Sequence, residues 1–482
     1  MLNSLVLTAV LAAPMALPSE TLEQRWRVVL FDGQKVGHAL SERQRLGERY
    51  ISREVMDLEI RREGEPVRLY SEQVVQESLA LRPLAFSVRM KSSNVEQRVD
   101  ATVTPQGRVQ VKIDSAGAVS EREFDLPAGA LMAEAQLAQL RDSGLGAGST
   151  VEFTAFEPSL LDAIRVETQV IGPKRVAVME QDLELIEVVQ TAHFPGNPVQ
   201  TRAWVDAGFT PYRLSMNLLG MQIEMVDCSR SCALAPNQPV DYLQRLMLTP
   251  PAALPAQTLD PGLRYTLAVR GEGRIGGTSE QRVVETADAL VVDVCRRCDG
   301  EAAAEPGSEW LAPTPWIQAT DPLIVRMAKE AASGADSPRE RMRAAEAYVR
   351  RYIRNKNLSV GYASALETAQ SRTGDCTEHA LLLAALGRAL GVPTRIATGL
   401  AYAEGYGDAG GAFVPHAWTQ AWIDGRWQSF DAALDGFDAG HLALAVGDGD
   451  PSRFYAGISL LGRLAIREVT PLAEVEVEVD AP

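Results

Sequence analysis

This sequence is short of cationic residues: 47 Lys and Arg stand against 63 Asp and Glu, a formal net charge of -16 over 482 residues. The average surface therefore repels a phosphate backbone, and no nucleic acid partner is expected. The chain also lacks any uninterrupted apolar run near the roughly 18 residues that a membrane helix needs, so no transmembrane helix is expected in the mature protein. It has no solenoid-type repeat and no extended low-complexity segment, which excludes stacked-repeat and disordered architectures. Only 5 cysteines are present, too few for a disulfide-dense scaffold. What remains is an ordinary globular composition, 46% hydrophobic and 23% charged, in a chain too long for one core. Two to four domains are expected.

The N-terminus, MLNSLVLTAVLAAPMALPSE, carries an apolar run from Leu5 to Ala13 followed by small residues. Its length suits the core of a signal peptide over residues 1–20 and is too short to span a bilayer. No Lys or Arg precedes the run, and no cysteine near the cleavage region offers a lipid attachment point. Export, to a periplasm-like compartment, is the expectation.

Cysteine spacing agrees with export. Cys228 and Cys232 form one close pair and Cys295 and Cys298 another, while Cys376 stands alone. Two structural disulfides of undetermined pairing are expected, with a four-cysteine zinc site or a redox dithiol as the alternatives. The odd cysteine is left free.

From about Arg25 to Val226, segments such as WRVVLF, YISREVMDLEIRR and RVQVKIDS alternate or are rich in β-branched residues, with one helical interruption at LMAEAQLAQLRDSG. Residues 21–235 are expected to form a large antiparallel β domain. Its pattern resembles the curved, half-barrel sheets of lipoprotein carriers, which implies a surface for cell-envelope components. A Pro-rich linker from Leu248 to Gly262 leads into a small β module, placed within 248–300. From Asp321 onward the period becomes helical: Asp321 and Ser337 each precede a proline, the arrangement of an N-cap followed by Pro at the first helical position. The stretch NKNLSVGYASALETAQSRTGD is expected to be an irregular lead to Cys376.

Residues 376–390 have almost no polar face, so a helix here is expected to be buried centrally. Asp375 can cap it, and Gly374 lets another segment approach closely. The Cys376 sulfur then lies at the positive end of the helix dipole, the setting of an activated nucleophile. Downstream, FVPHAWTQAWI, the dipeptide Asp424-Gly425 and RWQSFDA read as a hairpin. A two-residue turn pairs Ile423 with Arg426 and sets Trp418 opposite Asp431. His416 and Asp431 then share one face of adjacent strands as diagonal neighbours, roughly 7–8 Å apart at the backbone. That is within reach for an imidazole and the carboxylate that orients it.

These segments, GDCTEHA, ALGVPTR and HAWTQAWIDGRWQSFD, resemble the transglutaminase-like superfamily of papain-type enzymes. The resemblance covers about residues 315–450 and implies Cys376 as nucleophile, His416 as general base and Asp431 as orienting acid, with no cofactor or metal. It departs from the family at Ala432, where proline is frequent, and the second oxyanion donor has no assignable residue. The expected architecture is multidomain, a β-rich N-terminal part followed by an α+β, papain-like catalytic domain over 315–482. The expected activity is hydrolysis of an amide or acyl bond in a protein or peptide substrate. The alternatives are acyl transfer to amines and a non-catalytic assembly role. His379, one turn into the helix, is expected beside the site rather than as its base. His38, His193 and His441 are expected to be unremarkable, and the acidic GDAGG and GDGDPS segments to be solvated turns.

Overall fold

A computed structural model describes residues 19–472, apart from 63–64, 93–94, 116–117, 144–145, 195–197, 219–220, 239, 242–245, 256–258, 260–261, 271–273, 302–303, 356–361, 406–409 and 451–459. The apolar run expected to be a signal peptide lies outside the described residues, as do parts of the two acidic glycine-containing segments. No helix among the described residues is long and apolar enough to cross a membrane.

The N-terminal region is one fourteen-stranded antiparallel sheet, from β1 (Ser19–Phe31) to β14 (Met221–Cys228). Strands adjacent in sequence pair through short connections, except β8 and β9, and β1 pairs with β14 at the middle of the sheet. The edges are β8 (Ala118–Asp125) and β9 (Thr150–Glu157). Twist brings them together, for Phe124 of β8 stacks on Phe156 of β9 at 6.3 Å although the two strands are not paired. Helix α1 (Ala133–Asp142) connects them, and the Glu77 carboxyl accepts hydrogen bonds from Glu134 N and Ala135 N at its first turn. After β14 comes a single helical turn, α2 (Arg230–Ala233).

The C-terminal region is α+β. Four helices, α3 (Pro322–Ala331), α4 (Pro338–Tyr352), α5 (Ala365–Ser371) and α6 (Cys376–Ala389), pack on a sheet of order β20-β19-β18-β21. Its strands are β18 (Thr394–Glu404), β19 (Gly411–Ile423), β20 (Arg426–Phe430) and β21 (His441–Gly447). Asp321 and Ser337 cap α3 and α4 as their sequence context requires. The lead to Cys376 is not wholly irregular: Ser364 and Glu367 form a capping box that starts α5. Helix α6 is the centre of the core, with Leu381, Leu382, Leu383 and Leu386 all fully buried. Near its end the Arg388 guanidinium is buried too, donating to the carbonyls of Ala312 and Thr394; burial pushes its pKa down to about 10.

The small β module is not confined to 248–300. Strands β15 (Leu263–Val269), β16 (Gln281–Glu285) and β17 (Leu290–Val294) take a fourth partner, β22 (Leu464–Pro471), which pairs with β15. Tyr265 and Leu267 of this sheet share a core with Leu400, Phe413 and Leu442 of the other. Periodicity cannot reveal this, because a strand's partner is fixed by burial of its face and not by its own sequence.

One disulfide is present, Cys295–Cys298, and Cys228 and Cys232 are thiols rather than a second bridge. Burial, together with the neighbouring Cys232 thiol, pushes the Cys228 thiol up to about 12. A four-cysteine zinc site is therefore overturned, since one pair is oxidised.

Candidate active site

The start of α6 is held on several sides. Asp375 accepts from Thr377 N at 2.9 Å, while Glu378 Oε2 accepts from Asp375 N at 2.8 Å, a reciprocal capping box. Glu378 Oε1 accepts from Ala363 N at 2.8 Å, tying the helix start to the segment before α5. Complete burial, with Asp375 beside it, raises the Glu378 pKa well above the ordinary carboxyl range. A Cβ at Gly374 would lie 2.3 Å from Glu378 Cβ, so the glycine makes room for the helix's own capping residue. Cys376, the first helical residue, is half-buried.

Strand β19 delivers His416. Asp424 and Gly425 adopt positive φ, the geometry of a two-residue hairpin turn, and Ile423 pairs with Arg426. The predicted register therefore holds: Thr419 pairs with Phe430, and Asp431 follows at the position facing Trp418. His416 Nε2 meets Asp431 Oδ2 at 2.7 Å, with both side chains buried.

Asp431 is fixed through every polar atom it has. Its Oδ1 accepts from Ala433 N and Leu434 N, its N–H donates to Glu346 Oε1 at 2.7 Å, and its carbonyl accepts from Arg350 at 2.9 Å. Helix α4 thus grips the backbone of the residue whose side chain grips His416. Burial disfavours charge on both partners, yet the ion pair overrides it. The His416 pKa stands at about 10, raised by Asp431 and by a charge interaction and hydrogen bond with Cys376. The Asp431 carboxyl is held far below its usual range by His416 and His441. With Nε2 taken by Asp431, Nδ1 is the other polar atom of the His416 ring.

His441, expected to be unremarkable, is part of this cluster. It opens β21, is 3% exposed, and sets Nε2 at 3.0 Å from Asp431 Oδ2 and Nδ1 at 3.0 Å from Asp438 Oδ1. Trp418 and Phe437 pack against its ring at 5.2 Å each. Its place depends on β21 pairing with β18, where Gly399 lies opposite both His416 and Ala443. A Cβ on Gly399 would stand 2.0 Å from Leu442 O, so only glycine admits this close approach. No local pattern carries that relation; the signal available is the spacing of Asp438 and His441 directly after the SFD strand. His379 faces elsewhere, its Nδ1 at 2.5 Å from Asp375 O within its own helix.

By atom type His416, Asp431 and His441 could hold a metal ion, their ligand atoms lying within 4.8 Å of one another. The two imidazoles instead converge on one carboxylate oxygen at hydrogen-bonding distance, and both rings have raised pKa values. A metal would have to displace those protons. The donor set fits proton holding better than metal binding.

Two clefts lie near the cluster. One, of about 550 Å³, is lined by Tyr402, Phe437, Asp438 and His441. The other, of about 250 Å³, is lined by Glu346, Glu280 and several arginines, and Phe437 borders both.

Residues 325–432 match the transglutaminase-like superfamily, and a domain of that superfamily is present around them. No curated protein sequence matches the chain. Among solved structures, similarity is found to a candidate cysteine protease from Cytophaga hutchinsonii, at 18% identity over 43% of this chain and 87% of that one, with a TM-score of 0.28. A β-barrel-like protein of a domain of unknown function from Brucella abortus is similar at 12% identity over 44% of this chain and 97% of that one, with a TM-score of 0.33. A candidate protease from Parabacteroides distasonis is similar at 10% identity over 74% of this chain and 69% of that one, with a TM-score of 0.18. Likenesses at such scores define neither fold nor activity.

Proposed function

Starting from the presence of a transglutaminase-like domain, we propose that this protein is an exported, periplasmic cysteine-dependent enzyme that cleaves amide or acyl bonds in a protein or peptide substrate. Cys376 is the nucleophile, His416 the general base and acid, and Asp431 the residue that orients His416. The observation that carries this reading is the buried 2.7 Å bond between His416 and Asp431, with Cys376 at the start of a helix in the same domain.

The chemistry follows from the placement of charge. The Cys376 thiol gives its proton to His416 and its sulfur attacks the substrate carbonyl carbon, while the carbonyl π electrons move to oxygen, where the Cys376 N–H at the start of α6 meets the negative charge. Collapse of the adduct breaks the C–N bond while His416 gives its proton to the leaving amine. The thioester is then attacked by water whose proton goes to His416, and the acid leaves with Cys376 restored. Asp431 keeps the imidazole in the orientation that makes both transfers possible.

The test is acylation by an activated ester, followed by intact mass. A single acyl adduct on the wild type, absent in Cys376→Ala, is expected. Release of free acid in water, little changed by added amine, indicates hydrolysis, whereas amide product in its place indicates transfer. An adduct that persists in Cys376→Ala would remove the nucleophile assignment. Mass of protein from its native source, shortened by about the first 20 residues, tests export.

A further inference from the structure

His441 has a property that the proposed mechanism does not use. Its two ring nitrogens face two different carboxylates, Asp431 Oδ2 and Asp438 Oδ1, each at 3.0 Å. An ionised carboxylate only accepts hydrogen bonds, so both contacts are satisfied together only when both ring nitrogens carry protons. The Asp438 N–H lies further off, at 3.4 Å from Nδ1. The ring is packed against Trp418 and Phe437, and Asp431 is fully buried, so no water substitutes for that carboxylate, whereas Asp438 is partly exposed.

Asp431 Oδ2 therefore lies between two imidazoles, His416 at 2.7 Å and His441 at 3.0 Å, whose ring centres are 5.7 Å apart. One anionic oxygen then serves two cations. We propose that His441 is held as an imidazolium that shares the Asp431 carboxylate with His416, and so sets how firmly His416 keeps its proton. His441 is a positioning residue: it touches neither Cys376 nor a substrate and acts through Asp431. This inference rests on the triad reading only for its effect on rate, since the sharing itself is a property of the resting protein.

Other charges face His441 and bear on its proton. Glu280 interacts with it electrostatically, and Arg296, Glu404 and Asp435 line the cleft that its ring borders. Asp438 is the partner most easily altered, because it is a partly exposed loop residue and Asn can replace it at nearly the same size.

Two variants test the sharing. His441→Gln keeps a donor near the Nε2 position and removes the charge; Asp438→Asn leaves the ring and removes the anion that keeps it charged. In a Cys376→Ala background, imidazole titration of His416 by NMR is expected to move upward by about one pH unit in each, because Asp431 then serves a single cation. A variant that merely loosens the site moves it downward. In the active protein, the alkaline limb of the acylation rate should shift upward by a similar amount in Asp438→Asn with KM unchanged. A His416 titration that stays put or falls in Asp438→Asn overturns the proposal. An upward NMR shift in a protein with no acylation activity sustains the sharing and instead removes the enzymatic reading.

Discussion

Asp431 has no free polar atom: two imidazoles, two backbone N–H groups, Glu346 and Arg350 claim it. Asp431→Asn offers one of those imidazoles an N–H where it needs an acceptor, so the fold should persist while the acylation rate falls about 10³- to 10⁴-fold through loss of the correct imidazole orientation. Rate measurement with an activated ester, beside a thermal unfolding scan, separates the two. His416→Ala and Cys376→Ala should each abolish acylation, and the double variant should be no worse, since they act as one unit. His379→Ala should cost far less, because its ring is turned to the Asp375 carbonyl. Cysteine titration under denaturing, non-reducing conditions should find three thiols, at Cys228, Cys232 and Cys376, beside the one bridge. Five thiols or one would show that the two pairs share one oxidation state.

At the scale of elements, the sequence makes legible what depends on near neighbours. The turn Asp424-Gly425 fixes a register by itself, so the local residue pattern alone is enough to bring His416 and Asp431 to one face. The all-apolar surface of α6 likewise announces its burial. His441 escapes such reasoning because β21 reaches the site by pairing with β18, across the whole β19–β20 hairpin in the chain, and the α5 helix escapes it because a seven-residue segment shows too little period. The close approach at Gly399 makes a sharp prediction. Gly399→Ala must push β21 away from β18, and should lower stability by about 1–3 kcal/mol in chemical denaturation. The lost rate should exceed what that destabilisation explains, because His441 sits on the displaced strand. Full stability in this variant would mean that the two strands have room to spare.

Across the whole molecule, buried carboxyls give stability a pH dependence that net charge alone does not indicate. Glu77, Glu280 and Glu346 are each raised to about 7, in every case by burial. A carboxyl whose folded pKa exceeds its unfolded value binds extra protons when folded. Its stabilising effect is complete below the unfolded value and is lost as pH rises through the folded one. His416, raised to about 10, adds the same sign at higher pH, from about 6.5 upward. Asp431, depressed, acts oppositely and only in strong acid. The unfolding midpoint should therefore decline from about pH 5 to 8, and Glu280→Gln should flatten part of that decline by fixing the neutral form. A midpoint that rises over this range contradicts the assignment.

The pairing of β22 with β15 has a consequence in time. Strand β15 precedes every helix and strand of the proposed site, and β22 follows them all. While the polypeptide emerges residue by residue, Leu263, Tyr265 and Leu267 are made early, yet the edge on which β22 docks stays open until the strand arrives. Closing so long a loop is slow and entropically costly, and an open edge invites pairing with other chains. Tyr265 Oη donates to the Ala439 carbonyl, two residues before His441, so this latch is joined to the segment that completes the site. The sheet that carries this core is thereby completed only once β22 is available to pair with β15, so removal of β22 should leave the proposed site without its supporting sheet.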